Sequence, residues 1–265
     1  MSATIIRALR AFREWRHRRA ADKIAIDDAQ WQAAEYPLPF LDRLSDNERR
    51  RLRELARQFI AEKEWSGARG LELTAPMQIS IALQACLPIL NLGLDAYRGW
   101  VGVIVYPGDF VIPRQQMDEA GVMHEYDDEV LGEAWEGGPV LVSWFENLDE
   151  IGDVNIVIHE FAHKLDMTNG AVDGVPALAE GMSRREWVAA FEPAYLDFHR
   201  RVDAGEDTAI DPYAAEHPSE FFAVVSEVFF EAPDLLCNEY PAVYTQLARY
   251  YLQNPAAAGN RPTIP

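Results

Sequence analysis

The chain of 265 residues carries 24 Lys and Arg against 43 Asp and Glu, a formal net charge of -19, with 49% hydrophobic and 11% aromatic residues. That composition can build a packed core and excludes global disorder. Of the basic residues seven, and of the acids two, lie in residues 1–23, leaving 17 basic against 41 acidic for the rest; so acidic a body repels phosphate backbones and argues against direct nucleic-acid binding.

In the first segment Ile5, Ile6, Leu9, Phe12 and Trp15 recur at roughly helical spacing among arginines. This reads as a basic amphipathic arm, residues 1–23, docked on the chain's own acidic body, with an anionic membrane surface as the less favoured partner for residues 1–21. Those arginines also interrupt any signal-peptide core. The run 79–94 is too short for a bilayer and is broken by Gln84, Pro88 and Asn91. A cytoplasmic location is therefore expected, and the cysteines Cys86 and Cys237 are read as two separate buried thiols.

"SDNE" at 45–48 has the form of a capping box and predicts a helix to about Lys63. Residues 76–97 read mainly as a buried helix. Residues 100–113 alternate and are rich in β-branched residues, predicting strand, turn, strand. Residues 128–145 read as a hairpin turned at Gly137 and Gly138, with Val140, Val142 and Trp144 on one face. A helix follows over about 153–167, then a Gly-bearing loop, 168–182, suited to a lid. "SRRE" at 183–186 opens a helix to about Val202, Pro218 opens another to about residue 232, and a last helix covers about 239–253. The class is α+β, with 24–255 as one domain and 256–265 as a loose tail.

The helix at 153–167 contains "HEFAH", His159 to His163. Histidines four apart share one helix face, so both imidazoles reach one ion at the ~2.0–2.1 Å of a zinc–nitrogen bond. Glu160 points about 100° away, out of the ligand set but within reach of a metal-bound water. Apolar residues wrap the rest of this helix, and buried polar groups need partners. A solvent-facing His-Glu-His stripe is the bland alternative.

Catalytic zinc normally takes a third protein ligand. Asp166 and Asn169 stand where the longer HExxHxxGxxH form needs glycine and histidine, so that form is absent. Candidates are Glu180, Glu186, Glu220, Glu227, His199 and His217. On the 218–232 helix Phe221, Val224, Val225, Val228 and Phe229 make the core stripe, with Glu220 and Glu227 beside it at nearly one azimuth. Val224 excludes the E-x-x-x-D form. Spacing alone leaves Glu220 and Glu227 both open.

"NIVIHEFAHKLDMTNG", "DPYAAEHPSEFFAVVSEVFFEAPDLL", "GPVLVSW" and "LQACLPILNLGLDAY" together resemble the Mlc titration factor A family, over roughly residues 35–255. The resemblance implies a cytoplasmic zinc peptidase of the lethal-factor-like gluzincin type. Its fold would be zincin-like: a small mixed sheet packed on an active-site helix, then a mostly helical C-terminal part. It implies one Zn2+ held by His159, His163 and Glu220, Glu160 as general base, and Tyr213 at the site's tyrosine position. It also implies binding to an Mlc-like transcriptional repressor. Peptides or proteins are then the substrate, bound as an added strand on the hairpin's first strand, about 128–135. Glu227 and Asp166 are candidates to orient the ligand histidines. The alternative is a latent or non-catalytic regulator that sequesters a transcription factor.

Overall fold

The computed structural model describes residues 24–117, 123–145 and 154–258 together with Arg19, Ala21 and Asp22, and of residues 111–130 and Ala258 only the backbone. The expected N-terminal arm lies outside this range except for those three residues, and so does the tail beyond Ala258.

Helix α1, Asp28–Glu35, opens on a capping box between Asp27 and Gln30 that the sequence reading passed over. Helix α2, Asp46–Glu62, starts where expected: Ser45 accepts from the Glu48 backbone, and Glu48 returns a bond to the Ser45 backbone. The two helices are bolted by Glu35, whose carboxylate receives Arg49 at 2.8 Å and Arg53 at 2.6 Å. Burial pushes this carboxyl up, but the two guanidinium groups outweigh it and hold it below the ordinary range. A folded-state value below the unfolded one gives stability that is present above the usual carboxylate pKa and lost as pH falls through the depressed value. We expect Glu35→Gln to cost about 1–3 kcal/mol at neutral pH, since both guanidinium groups keep some solvent. Urea titrations at about pH 7 and about pH 3 check this, and a cost that does not shrink in acid contradicts it.

Strand β1, Glu64–Gly67, follows directly. Helix α3, Ala75–Cys86, is capped by Thr74 and is buried from Ile79 to its end. The expected helix to residue 97 ends here: Leu87 keeps helical dihedrals, φ -60° and ψ -47°, but Pro88 after it has no N–H to donate back into the helix. The chain continues through turns to a single 3-10 turn, Leu94–Tyr97.

Strands β2, Gly102–Pro107, and β3, Phe110–Met117, occupy the predicted strand–turn–strand, but they do not pair with each other. The reason is burial: Val103 and Val105 are fully buried, so β2 takes an interior position, parallel to β1 on one side and to β6, Val140–Trp144, on the other. Strand β3 pairs instead with β4, Met123–Val130, as a separate two-stranded ribbon. The expected hairpin forms from β5, Gly132–Ala134, antiparallel to β6 in the register Ala134 to Val140 and Gly132 to Val142. Its first strand is therefore shorter than 128–135, because residues up to Val130 belong to the ribbon. The main sheet runs β1-β2-β6-β5, with the antiparallel β5 at one edge.

Six helices follow among the described residues: α4, Ile156–Asp166; α5, Arg184–Asp203; α6, Pro218–Glu231; α7, Pro233–Glu239; α8, Pro241–Tyr251; and the single turn α9, Pro255–Ala258. Half of the "SRRE" box forms, with Ser183 accepting from the Glu186 backbone while the Glu186 carboxylate receives Arg249. Prolines at the first positions of α7 and α8 divide what would otherwise be one helix. The outcome is α+β, as expected. Every residue of α4 is buried. Its Phe161 sits in an aromatic cage, 5.6 Å from Phe59, 5.2 Å from Tyr97 and 5.7 Å from Trp100 between ring centres. Contacts of this kind contribute about 0.5–1.5 kcal/mol each beyond area burial, and they fix the rotation of α4 so that its other face meets α6. Among the described residues no helix is long and apolar enough to cross a membrane, and the cysteines are separate free thiols, Cys86 buried as expected but Cys237 only half-buried.

Candidate metal centre

Asn155 caps α4, its side-chain oxygen accepting from the Ile158 backbone at 2.9 Å. One turn on, His159 and His163 lie with Nε2 atoms 3.1 Å apart. Helix α6 crosses this face, and Glu220 brings Oε2 to 3.1 Å from both Nε2 atoms. Three donor atoms thus form a nearly equilateral triangle. A tetrahedral ion with bonds of ~2.0–2.1 Å needs donors about 3.3 Å apart, so this triangle matches three corners and leaves a fourth open. Two nitrogens and one carboxylate oxygen suit zinc better than magnesium, which prefers oxygen throughout.

Seven residues beyond Glu220, Glu227 accepts at 2.6 Å from His159 Nδ1. That bond puts the proton of His159 on Nδ1 and leaves the Nε2 lone pair for an ion. The other Glu227 oxygen receives the Asn155 backbone at 2.8 Å, and Glu231 receives the Asn155 side chain at 2.7 Å. One face of α6 therefore holds both the ligand geometry and the start of the motif helix.

The field here favours a cation. Burial lowers the affinity of His159 for a proton, yet Glu220 and Glu227 outweigh it and hold the imidazole well above its ordinary range. Burial works against the Glu220 carboxylate too, and the two histidines more than reverse it, so Glu220 lies well below its range. Glu160 behaves in the opposite way. Burial raises it to about 7, with the imidazoles only partly offsetting the effect. It is 6% exposed, and its Oε2 is buried without a hydrogen-bond partner among the described residues.

Tyr213 lies on a 3-10 turn, Pro212–Ala215, capped by Asp211. Its ring centre is 6.0 Å from that of His159, and the residue is 53% exposed, so it stands at the rim of the site. Asp166 takes neither ligand histidine among the described contacts. It accepts from the Gly174 backbone at 2.9 Å and fastens the loop after α4. Trp187 donates to Gly174, Arg184 pairs with Asp173 at 2.8 Å, and Arg249 donates to Gly181. The stretch expected as a lid is thus tied down along its length.

Of the other ligand candidates, Glu186 pairs with Arg249, His199 with Asp203, and His217 caps α6. The sequence reading missed Asn155, Lys164 and Gly132. Asn155 carries an ordinary signal, an N-cap residue just before an apolar run. Lys164 donates to the Trp135 and Gly138 carbonyls and so joins the motif helix to the β5–β6 turn. Gly132, inside a strand, carries the signal of close approach by another group.

An α+β chain whose HExxH helix meets a carboxylate from a later helix, beneath a mixed sheet with an antiparallel edge strand, has the zincin-like metallopeptidase fold. The chain belongs to the glucose-regulated metallo-peptidase M90 family, whose sequence model matches residues 12–252. It is similar to the Mlc titration factor A of Serratia proteamaculans, 38% identical over 234 residues, 86% of this chain and 88% of that one. The protein of the same name from Pectobacterium atrosepticum is 39% identical over 232 residues, 86% and 87% of the two chains. That from Yersinia pestis strain Pestoides F is 38% identical over 241 residues, 86% of each.

Proposed function

We propose that this chain is a zinc peptidase in which His159, His163 and Glu220 hold one Zn2+ and Glu160 is the general base. The observation that carries this reading is the 3.1 Å triangle of donor atoms beside a buried carboxylate. Zinc, when bound, supplies a Lewis acid that polarises a carbonyl and lowers the pKa of a water ligand toward ~7.

The chain's own groups do the rest. Glu160 takes the proton of the attacking water on Oε2 and passes it to the leaving amine, work worth roughly 10²–10⁴-fold in rate. The Tyr213 hydroxyl, at the rim, donates to the developing oxyanion. Glu227 holds His159 in the ligating tautomer. Strand β5, at the sheet edge nearest Glu160, offers its outer backbone groups to an extended peptide.

Metal analysis of the purified full-length chain should find about one zinc per chain. Hydrolysis of an unfolded protein substrate should stop in chelator and return with added zinc. Undiminished hydrolysis by the metal-free chain overturns the reading.

The names of the relatives support a second reading alongside the first: binding of an Mlc-like transcriptional repressor. A stoichiometric complex that persists in Glu160→Gln supports it, and absence of any complex with such a repressor from the same cell refutes it.

A further inference from the structure

A Cβ built on Gly132 of strand β5 would stand 2.5 Å from both Cγ and Oε1 of Glu160, and 2.7 Å from Cδ. Non-bonded carbons are comfortable at about 3.5–4.0 Å, so no side chain fits between this strand and Glu160 in its present place. Backbone conformation does not explain the glycine, because Gly132 is absent from the positive-φ residues. Nor does strand stability, since glycine in a strand interior weakens it. What the missing side chain provides is room for the Glu160 carboxyl group.

We propose that Gly132 is a positioning residue for the peptidase reaction, its bare backbone being the wall against which the Glu160 side chain is set. This rests on Glu160 being the general base.

Neither the strand nor the helix can retreat. Strand β5 is laddered to β6 at Gly132, Glu133 and Ala134. Three residues past the strand–helix contact, the turn is held from the helix side: Lys164 Nζ donates to the Trp135 carbonyl at 2.6 Å and to Gly138 at 2.9 Å. Lys164 and Glu160 are one turn apart on α4, so the helix grips the hairpin at its tip and meets it at Gly132. About 100° round from Glu160, α4 is fixed by the aromatic cage around Phe161. The part free to yield is the Glu160 side chain from Cγ outward. An added methyl group therefore turns the carboxylate aside and leaves the fold and the ligand triangle in place.

The test uses the full-length, zinc-loaded chain carrying Gly132→Ala, Glu160→Ala, and both. Gly132→Ala should keep its zinc and a thermal midpoint within about 2 °C of the parent. Its kcat should fall about 10²-fold with KM little changed, the cost of misplacing a reacting group by about 1 Å. In the Glu160→Ala background, which removes Cγ, Cδ and Oε1 together, the same alanine should change the residual kcat by no more than about twofold, because nothing is left for the methyl group to displace.

Three results overturn the proposal: full kcat in Gly132→Ala; lost zinc or a midpoint lowered by more than about 2 °C, which would mean the strand or helix gives way; or an equal cost in both backgrounds. Full activity in Glu160→Gln is a different failure, that of the general-base reading itself.

Discussion

Replacing Glu160 by glutamine is expected to leave zinc bound and to lower kcat by about 10²–10⁴-fold, the range for loss of a general base. The amide is nearly isosteric with the carboxylate, so the wall at Gly132 and the packing of α4 are undisturbed. Glu160 is outside the set of donor atoms that converge, His159, His163 and Glu220. Metal affinity should consequently change little. What disappears is a proton acceptor whose Oε2 is already desolvated, with no hydrogen-bond partner among the described residues. Equal losses of metal and of turnover would show that Glu160 belongs to the ligand set instead. The measurement is kcat and KM on one peptide substrate, with metal content determined on the same samples.

The motif helix was legible because its signal is local. HExxH spacing and an apolar wrap lie within twelve residues, Asn155 to Asp166, and each has a direct physical meaning, although the asparagine cap in the same stretch was passed over. The distant carboxylate was half legible. Seven residues turn a helix through almost two full turns, so Glu220 and Glu227 share an azimuth and spacing cannot rank them. The structure uses both, one on the Nε2 atoms and one on Nδ1. Less legible were features made by chain crossings. Whether β2 pairs with β3 or with β6 depends on which partner buries Val103 and Val105, and that partner is more than thirty residues away. Strand β1 is four residues with little periodicity, recognisable only once β2 is beside it. The demand for glycine at 132 exists only because α4 carries Glu160 to that point of β5.

The two α6 carboxylates should separate cleanly when each is removed. With Glu220→Ala only two protein donors remain, and zinc affinity should fall by more than about 10²-fold, beyond the usual effect of an outer partner. The two imidazoles also lose the charge that balances them, since Glu220 is the carboxylate within 3.1 Å of both. Glu227→Gln should cost about 10–100-fold in zinc affinity, the range for groups that orient a ligand. Its amide can still bond to Asn155 or to His159, but with its NH2 group toward His159 it favours the tautomer whose proton sits on Nε2, where an ion must bind. Titration of each apoprotein with zinc against a chelating indicator gives the affinities. The order, Glu220 well above Glu227, is the decisive outcome. If Glu227 proves the costlier of the two, the ion is held chiefly from the Nδ1 side of His159, and the triangle of donor atoms is not where it binds.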